Sequence, residues 1–198
     1  MRCRLVGSEM CIRDRHWPYM APAPYHNMYS ANEFYPVHRN DAERNNDHPV
    51  YKAFMENSIS KTFSKDEVRN TVLAGYMGLI KQIDDNLGRL FKFLESSGHM
   101  DDTMIIFTSD HGDYQGDHWL GEKELFHEQS VRVPMIIYDP SDYANKTRGT
   151  KEERFIEAID LLPTFLDAVE SPASKHRLEG DSLMPVSYTH LRAHETTS

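Results

Sequence analysis

An α/β fold is what this sequence predicts, and three observations carry the prediction. Two short apolar runs of strand length, in "TMIIFTSD" and "VRVPMIIYDP", are separated by a polar stretch; a long amphipathic helical pattern precedes the first; another follows the second. Helix, strand, polar loop, strand and helix in that order describe helices covering a sheet. The polar loop leaves the carboxyl end of its strand, where open α/β sheets place their sites.

The elements follow in chain order. Residues 16–50 are rich in Pro, Asn, His and Tyr, and so many prolines favour an irregular segment that packs through its aromatics. A loop of that length in a compact protein points to a lid, a rim or a binding segment. The clearest helix is "SKDEVRNTVLAGYMGLIKQIDDNLGRLFKFLESSG". Ser64 and Glu67 have capping-box spacing. Val72, Tyr76, Leu79, Ile80, Ile83, Leu87, Leu90, Phe91 and Leu94 recur at three- and four-residue steps, a stripe able to cover a sheet. Gly98 ends this helix, Asp101 and Asp102 make a turn, and "MIIF" reads as a buried central strand. Pro140 helps to close the second strand. In "TKEERFIEAIDLLPTFLDAVE", Thr150 and Glu153 form a capping pair, with Phe155, Ile156, Ile159, Leu162, Phe165, Leu166 and Val169 facing inward. Pro163 is expected to kink or restart that helix.

A chain of 198 residues supports one hydrophobic core. Its formal charge of -9, from 31 acids against 22 basic residues, argues against a nucleic-acid backbone surface. No run of 18 apolar residues is present, so no membrane span is expected. Cys3 and Cys11 are too few for a disulfide framework. Neither a glycine-rich phosphate loop nor a serine nucleophile elbow occurs. The first fifteen residues and the last twelve lack any packing period and look like translated adapter or vector sequence. The expected organisation is a non-native leader at 1–15, a catalytic-domain part at 16–186 and a non-native tail at 187–198.

Chemistry concentrates in "TSDHGDYQGDHWLGEKELFHE", residues 108–128. The adjacent carboxylate of Asp110 and imidazole of His111 can face one divalent cation, and Gly112 leaves backbone room beside them. Taken alone, the pair equally suits the cap of a turn, since a catalytic ion needs three or more ligands. Lys123 could hold the oxygens of an anionic ester or pair with Glu122 and Glu124 at the surface. His118 is a candidate for substrate contact, His127 a structural histidine, and His16 either a donor to a leaving-group oxygen or ordinary surface. Asp84 and Asp85 read as a solvated helix face.

The segment from Tyr76 to Pro140 resembles the carboxyl-terminal half of the catalytic domain of sulfatases in the alkaline phosphatase superfamily. It is most similar to their arylsulfatase and phosphonate monoester hydrolase branch. "EAIDLLPTFLDAV", "LEGDSLMP" and the "HWPYMAP" beginning at His16 extend the resemblance over residues 16–186. The resemblance implies a fragment of a three-layer sandwich whose mostly parallel central sheet is flanked by helices. It places metal binding on Asp110 and His111, and the anion-holding catalytic role on Lys123. His16 then contacts substrate near the leaving group, with His118 as a lesser substrate contact.

One divalent ion is implied, calcium or manganese ahead of magnesium. A formylglycine nucleophile is expected in an amino-terminal part that this sequence lacks. The family's two amino-terminal metal aspartates and Cys-x-Pro-x-Arg-like motif do not occur within 16–186. The chain as given is therefore expected to show no turnover. The expected substrate is a sulfate ester, with a phosphonate monoester or phosphodiester as the alternative and a non-catalytic metal-binding module as a rival of another class. The expected partner is a small anionic ester, without nucleic acid or membrane; homo-oligomerisation is compatible with the sequence. A cytoplasmic location is the default expectation.

Overall fold

The computed structural model describes residues 19–31, 34–172 and 178–184. The expected leader and tail, both cysteines and His16 lie outside these residues. The chain divides into two units, one holding the described residues up to Leu90 together with 109–134, the other 91–108 with the described residues from Met135 onward.

In the first unit, the proline-rich segment is irregular apart from 3-10 turns at Tyr25–Asn27 and Asp41–Asn45. Asn40 and Glu43 close a reciprocal capping box on the second turn. Two short helices follow, α1 (Pro49–Glu56) and α2 (Ser58–Phe63), which sequence periodicity did not single out. Pro49 starts α1 where its missing N–H costs nothing, and the Asn57 side chain caps α2 by accepting from the Ser60 N–H at 2.7 Å. Tyr51, Tyr114 and Leu120 form the buried cluster, with Phe54, Met55 and Leu125 packed around it. Two of those three residues come from the stretch read as polar.

Helix α3 (Asp66–Ser96) begins after the Ser64 box would require, and the Ser64 hydroxyl instead donates to the Ser60 carbonyl at 2.8 Å. Its buried positions are Arg69, Leu73 and Gly78, while Ile80 and Leu90 of the expected stripe are exposed. Gly78 faces backbone: a Cβ there would lie 2.3 Å from the Tyr25 carbonyl oxygen. The segment 19–25 thus lies against a helix surface that has no side chain to hold it off. Asp84 and Asp85 both bind Lys81, and Asp85 also accepts from the Tyr25 hydroxyl at 3.0 Å, so only Asp84 is a plainly solvated carboxylate.

In the second unit, α3 ends as the sequence predicts. Gly98 has φ 73°, its N–H donates to the Glu95 carbonyl at 3.2 Å, and the His99 N–H reaches the Leu94 carbonyl at 2.9 Å. This is a Schellman cap. Strands β1 (Ile105–Thr108) and β2 (Met135–Tyr138) pair antiparallel, Ile105 opposite Tyr138 and Thr108 opposite Met135. The expected parallel neighbours are not represented among the described residues. Accordingly β1, expected to be a buried central strand, is half-buried, with Phe107 partly exposed and Ile136 opposite it exposed.

The helix expected from Thr150 is shorter. Beyond the short helix α4 (Glu128–Val131), a 3-10 turn at Ala158–Asp160 leads into α5 (Leu161–Ala168), which places Pro163 in the first turn, where a residue without an N–H is tolerated. The Thr150 hydroxyl bonds the Thr147 carbonyl at 2.7 Å rather than capping, and Phe155, Ile159, Leu162 and Val169 are exposed rather than inward. The segment 178–184 docks here: the Leu183 N–H donates to the Thr164 hydroxyl at 2.8 Å, and the Asp181 N–H to Asp160 at 2.9 Å.

Candidate metal and anion site

The loop leaving β1 organises itself around its own backbone. The Ser109 hydroxyl donates to the His111 carbonyl at 2.7 Å, and the His111 N–H donates to Asp110 Oδ1 at 2.9 Å. The Gly112 N–H donates to the Ser130 carbonyl at 2.7 Å, which ties the loop to the short helix α4 (Glu128–Val131). A Cβ at Gly112 would stand 1.9 Å from the Gln129 carbonyl oxygen. Glycine is required here for close approach, more than for the room beside a ligand that the sequence suggests.

Asp110 and His111 come together with a definite polarity. His111 Nδ1 lies 2.8 Å from the Gly112 carbonyl, which can only accept, so Nδ1 carries the proton. In the neutral ring Nε2 then carries the lone pair, and it lies 3.4 Å from Asp110 Oδ2. A lone pair and a carboxylate oxygen repel unless a proton or a cation lies between them. Two ligands about 2.0–2.6 Å from one ion and at right angles to each other stand roughly 3–3.6 Å apart, so the spacing suits both as neighbouring ligands. An imidazole that donates its other N–H to a backbone carbonyl is also the usual state of a metal-binding histidine. Burial pushes the Asp110 carboxyl up, but the positive charge that His111 carries when protonated, together with the hydrogen bonds Asp110 receives, outweighs this and holds it below the ordinary range. Among the described residues, no group of three His, Cys, Asp or Glu side chains converges into a full metal cage.

Lys123 is half-buried in the same unit, and its carbonyl accepts from the Ser130 hydroxyl at 2.7 Å. Burial, then the hydrogen bond that the protonated Glu122 carboxyl donates to Glu124, pushes Glu122 up, and the Lys123 charge partly counters the rise. The stretch between His111 and Lys123 is held in unusual backbone: Gln115, His118, Trp119 and Glu122 have φ of 48°, 54°, 63° and 60°. Each such non-glycine residue costs on the order of 1 kcal/mol or more, which surrounding contacts must offset. The Gln115 carbonyl accepts from Arg69 at 2.8 Å, the His118 N–H donates to the His38 carbonyl at 2.9 Å, and the Trp119 indole donates to the Asn40 carbonyl at 2.7 Å.

His118 has Nδ1 3.0 Å from a Glu43 carboxylate oxygen, and its ring stacks on His127 with centroids 4.3 Å apart. His127 Nδ1 lies 2.8 Å from the Tyr114 hydroxyl, which also accepts the His127 backbone N–H at 3.2 Å. That pairing supports the structural reading of His127. Burial and the neighbouring His118 charge lower its pKa. None of these contacts joins His118 to Asp110, His111 or Lys123.

Two residues that sequence reasoning passed over hold the loop from the other side. The Tyr19 hydroxyl donates to Asp113, and the Gln115 N–H reaches the same carboxylate at 2.9 Å. Burial raises Asp113 above the ordinary carboxylate range, and burial with the Asp113 charge raises Tyr19. The available signal was positional: Tyr19 lies three residues after His16, and Asp113 three after Asp110.

The chain is 39% identical over 186 residues to the multifunctional alkaline phosphatase superfamily protein PehA of Trinickia caryophylli, covering 86% of this chain and 35% of that protein. It is 39% identical over 94 residues to an arylsulfatase of Clostridium perfringens, covering 48% and 20%. The fold resembles the crystal structure of the phosphonate monoester hydrolase of Agrobacterium radiobacter, with TM-score 0.76, 32% identity, and coverage of 85% of this chain and 35% of that one. The chain thus spans about a third of the length of two of these relatives and a fifth of the third. The sulfatase family model matches residues 10–171, and the chain belongs to the sulfatase family.

Proposed function

We propose that this chain carries the carboxyl-terminal part of the active site of a metal-dependent hydrolase of sulfate esters. The observation that carries the proposal is the approach of His111 Nε2 to 3.4 Å from Asp110 Oδ2 while Nδ1 is engaged by the Gly112 carbonyl, a spacing suited to a shared divalent ion. Asp110 and His111 hold the ion, calcium or manganese ahead of magnesium. When bound, the ion supplies Lewis-acid stabilisation of the charge that develops on the ester oxygens. Lys123 holds the anionic ester group through its ammonium. His16 donates a hydrogen bond to the leaving-group oxygen. His118 is the lesser contact, because Glu43 engages Nδ1 and leaves Nε2 as the atom that would reach substrate. The nucleophile, a formylglycine in this reading, belongs to a part of the protein outside residues 16–186.

A second reading, hydrolysis of a phosphonate monoester or phosphodiester, is favoured by the likeness to the Agrobacterium radiobacter phosphonate monoester hydrolase. Sulfate and phosphonate monoesters are both tetrahedral and anionic, so one lysine and two metal ligands serve either.

Calorimetric titration of the chain with manganese and with calcium tests the metal pair. Asp110→Asn is expected to weaken binding at least tenfold, and equal affinity of variant and parent would overturn the assignment. In the full-length protein, Lys123→Ala is expected to lower kcat/KM at least 100-fold. The aryl ester turned over faster, sulfate or phosphonate, separates the two readings.

A further inference from the structure

We propose a second anion-binding site in the amino-terminal unit, separate in its lining from Asp110, His111 and Lys123, that takes a small polyanion bearing several phosphate or sulfate groups. A cavity of about 620 Å³ is lined by Arg44, Lys52, Lys61 and Lys65, with Glu56 as its one carboxylate and Trp119 at its wall. Four cations against one acid stand out in a chain whose formal charge is -9. They arrive from separate places: Arg44 from the 3-10 turn at Asp41–Asn45, Lys52 from α1, Lys61 from α2 and Lys65 from the link to α3. A solvated helix face would not gather them around one concavity.

The indole of Trp119 makes the site more than a patch of surface charge. The Arg39 and Arg44 guanidiniums each lie 4.1 Å from its ring centroid. Arg39 is otherwise committed, to Asp66 and to the Phe63 carbonyl at 3.2 Å. Arg44 has no ion pair or hydrogen bond to its side chain among the described residues, and neither do Lys52, Lys61 and Lys65. Stacking holds the Arg44 guanidinium in place while leaving its N–H donors for an anion. Trp119 is itself fixed through its indole N–H on the Asn40 carbonyl at 2.7 Å.

Size and charge define the ligand class. The volume lies within the range of small-molecule pockets, about 300–1,000 Å³, and far exceeds one tetrahedral oxyanion. Four separate cations match a ligand with two or more anionic groups. Oligophosphates and oligosulfated sugars share that chemistry.

Calorimetric titration of the 198-residue chain at low ionic strength, with tripolyphosphate and with a disulfated disaccharide as probes, tests the proposal. At least one probe is expected to bind with one-site stoichiometry and to shift the Trp119 indole N–H resonance. The Arg44→Ala/Lys52→Ala variant should lose at least tenfold in affinity, and Lys123→Ala should stay within twofold of the parent. Because Arg44 also supports Trp119, Lys61→Gln/Lys65→Gln serves as a second variant and should lose at least fivefold. Tighter binding of one probe identifies phosphate or sulfate as the preferred group. Absence of saturable binding, parent-like affinity in both folded variants, or loss on Lys123→Ala alone would overturn it. Lys123 belongs to the proposed hydrolytic site and Arg44 to this one, so failure of either reading leaves the other standing.

Discussion

Replacing Gly112 by alanine tests whether the loop that carries Asp110 and His111 is held by backbone contact. The added Cβ would stand 1.9 Å from the Gln129 carbonyl oxygen, whereas real Cβ contacts essentially never fall under 3.0 Å. Loop and α4 must therefore separate by about 1.1 Å, the difference between those distances. The adjacent bond from the Gly112 N–H to the Ser130 carbonyl, 2.7 Å long, would stretch beyond hydrogen-bonding range under such a shift. Losing one backbone bond costs about 0.5–1.5 kcal/mol, and forcing an extra carbon into packed surroundings about 1–3 kcal/mol. Gly112→Ala should then destabilise the chain by about 2–4 kcal/mol, read as a lower urea midpoint at unchanged slope. Manganese affinity should fall with it, since Asp110 and His111 precede the displaced residue. A midpoint within about 0.5 kcal/mol of the parent, the size of an ordinary surface substitution, would refute the reasoning.

Three further outcomes follow from the same contacts. The lowered pKa of His127 means that the unfolded chain takes up this proton first, so its contribution to stability is complete above about pH 6.5 and declines as pH falls through that value toward the folded pKa. Urea midpoints between pH 5 and 8 should show that decline, and His127→Gln should flatten it; an identical slope in the variant would show that another group is responsible. Tyr19→Phe leaves a buried Asp113 carboxylate without one of its two donors, and should cost about 1–3 kcal/mol by urea denaturation. Gly78→Ala gains about 1 kcal/mol of helix propensity but places a Cβ 2.3 Å from the Tyr25 carbonyl oxygen, so melting should show net destabilisation; a stabilised variant would mean that the 19–25 segment does not lie on α3.

What could be read from the sequence was what local chemistry decides. Gly98 ends α3 because a left-handed cap needs glycine, and Asp110 with His111 stood out because two potential ligands follow a strand directly. Packing decides the rest. Tyr114 and Leu120 sit among acids and histidines yet form the core with Tyr51, a residue some sixty positions earlier in the chain. Helices α1 and α2 are too short to show a clear period. The apolar spacing around Pro163 suggested a longer helix, but a proline accepted only in the first turn moved its start to Leu161. Tyr19 and Asp113 escaped notice because their partnership spans 94 residues, a separation no spacing rule addresses.

The left-handed residues between Gln115 and Glu122 also constrain the order in which the chain can acquire its shape. Their supports are Arg69, His38 and Asn40, which precede them by 46 to 80 positions. Alone, this stretch keeps only its internal bonds, such as those from the Tyr114 N–H to the Glu122 carbonyl and from the Gly116 N–H to the Leu120 carbonyl, both 2.8 Å, to set against its backbone cost. The earlier segment must be in place before the loop can set, and closing such long loops is the slow part of folding. The proposed metal pair and Lys123 are thus moulded by an earlier stretch of chain that supplies none of them, and damage to His38 or Arg69 would reach Asp110 through folding rather than through contact.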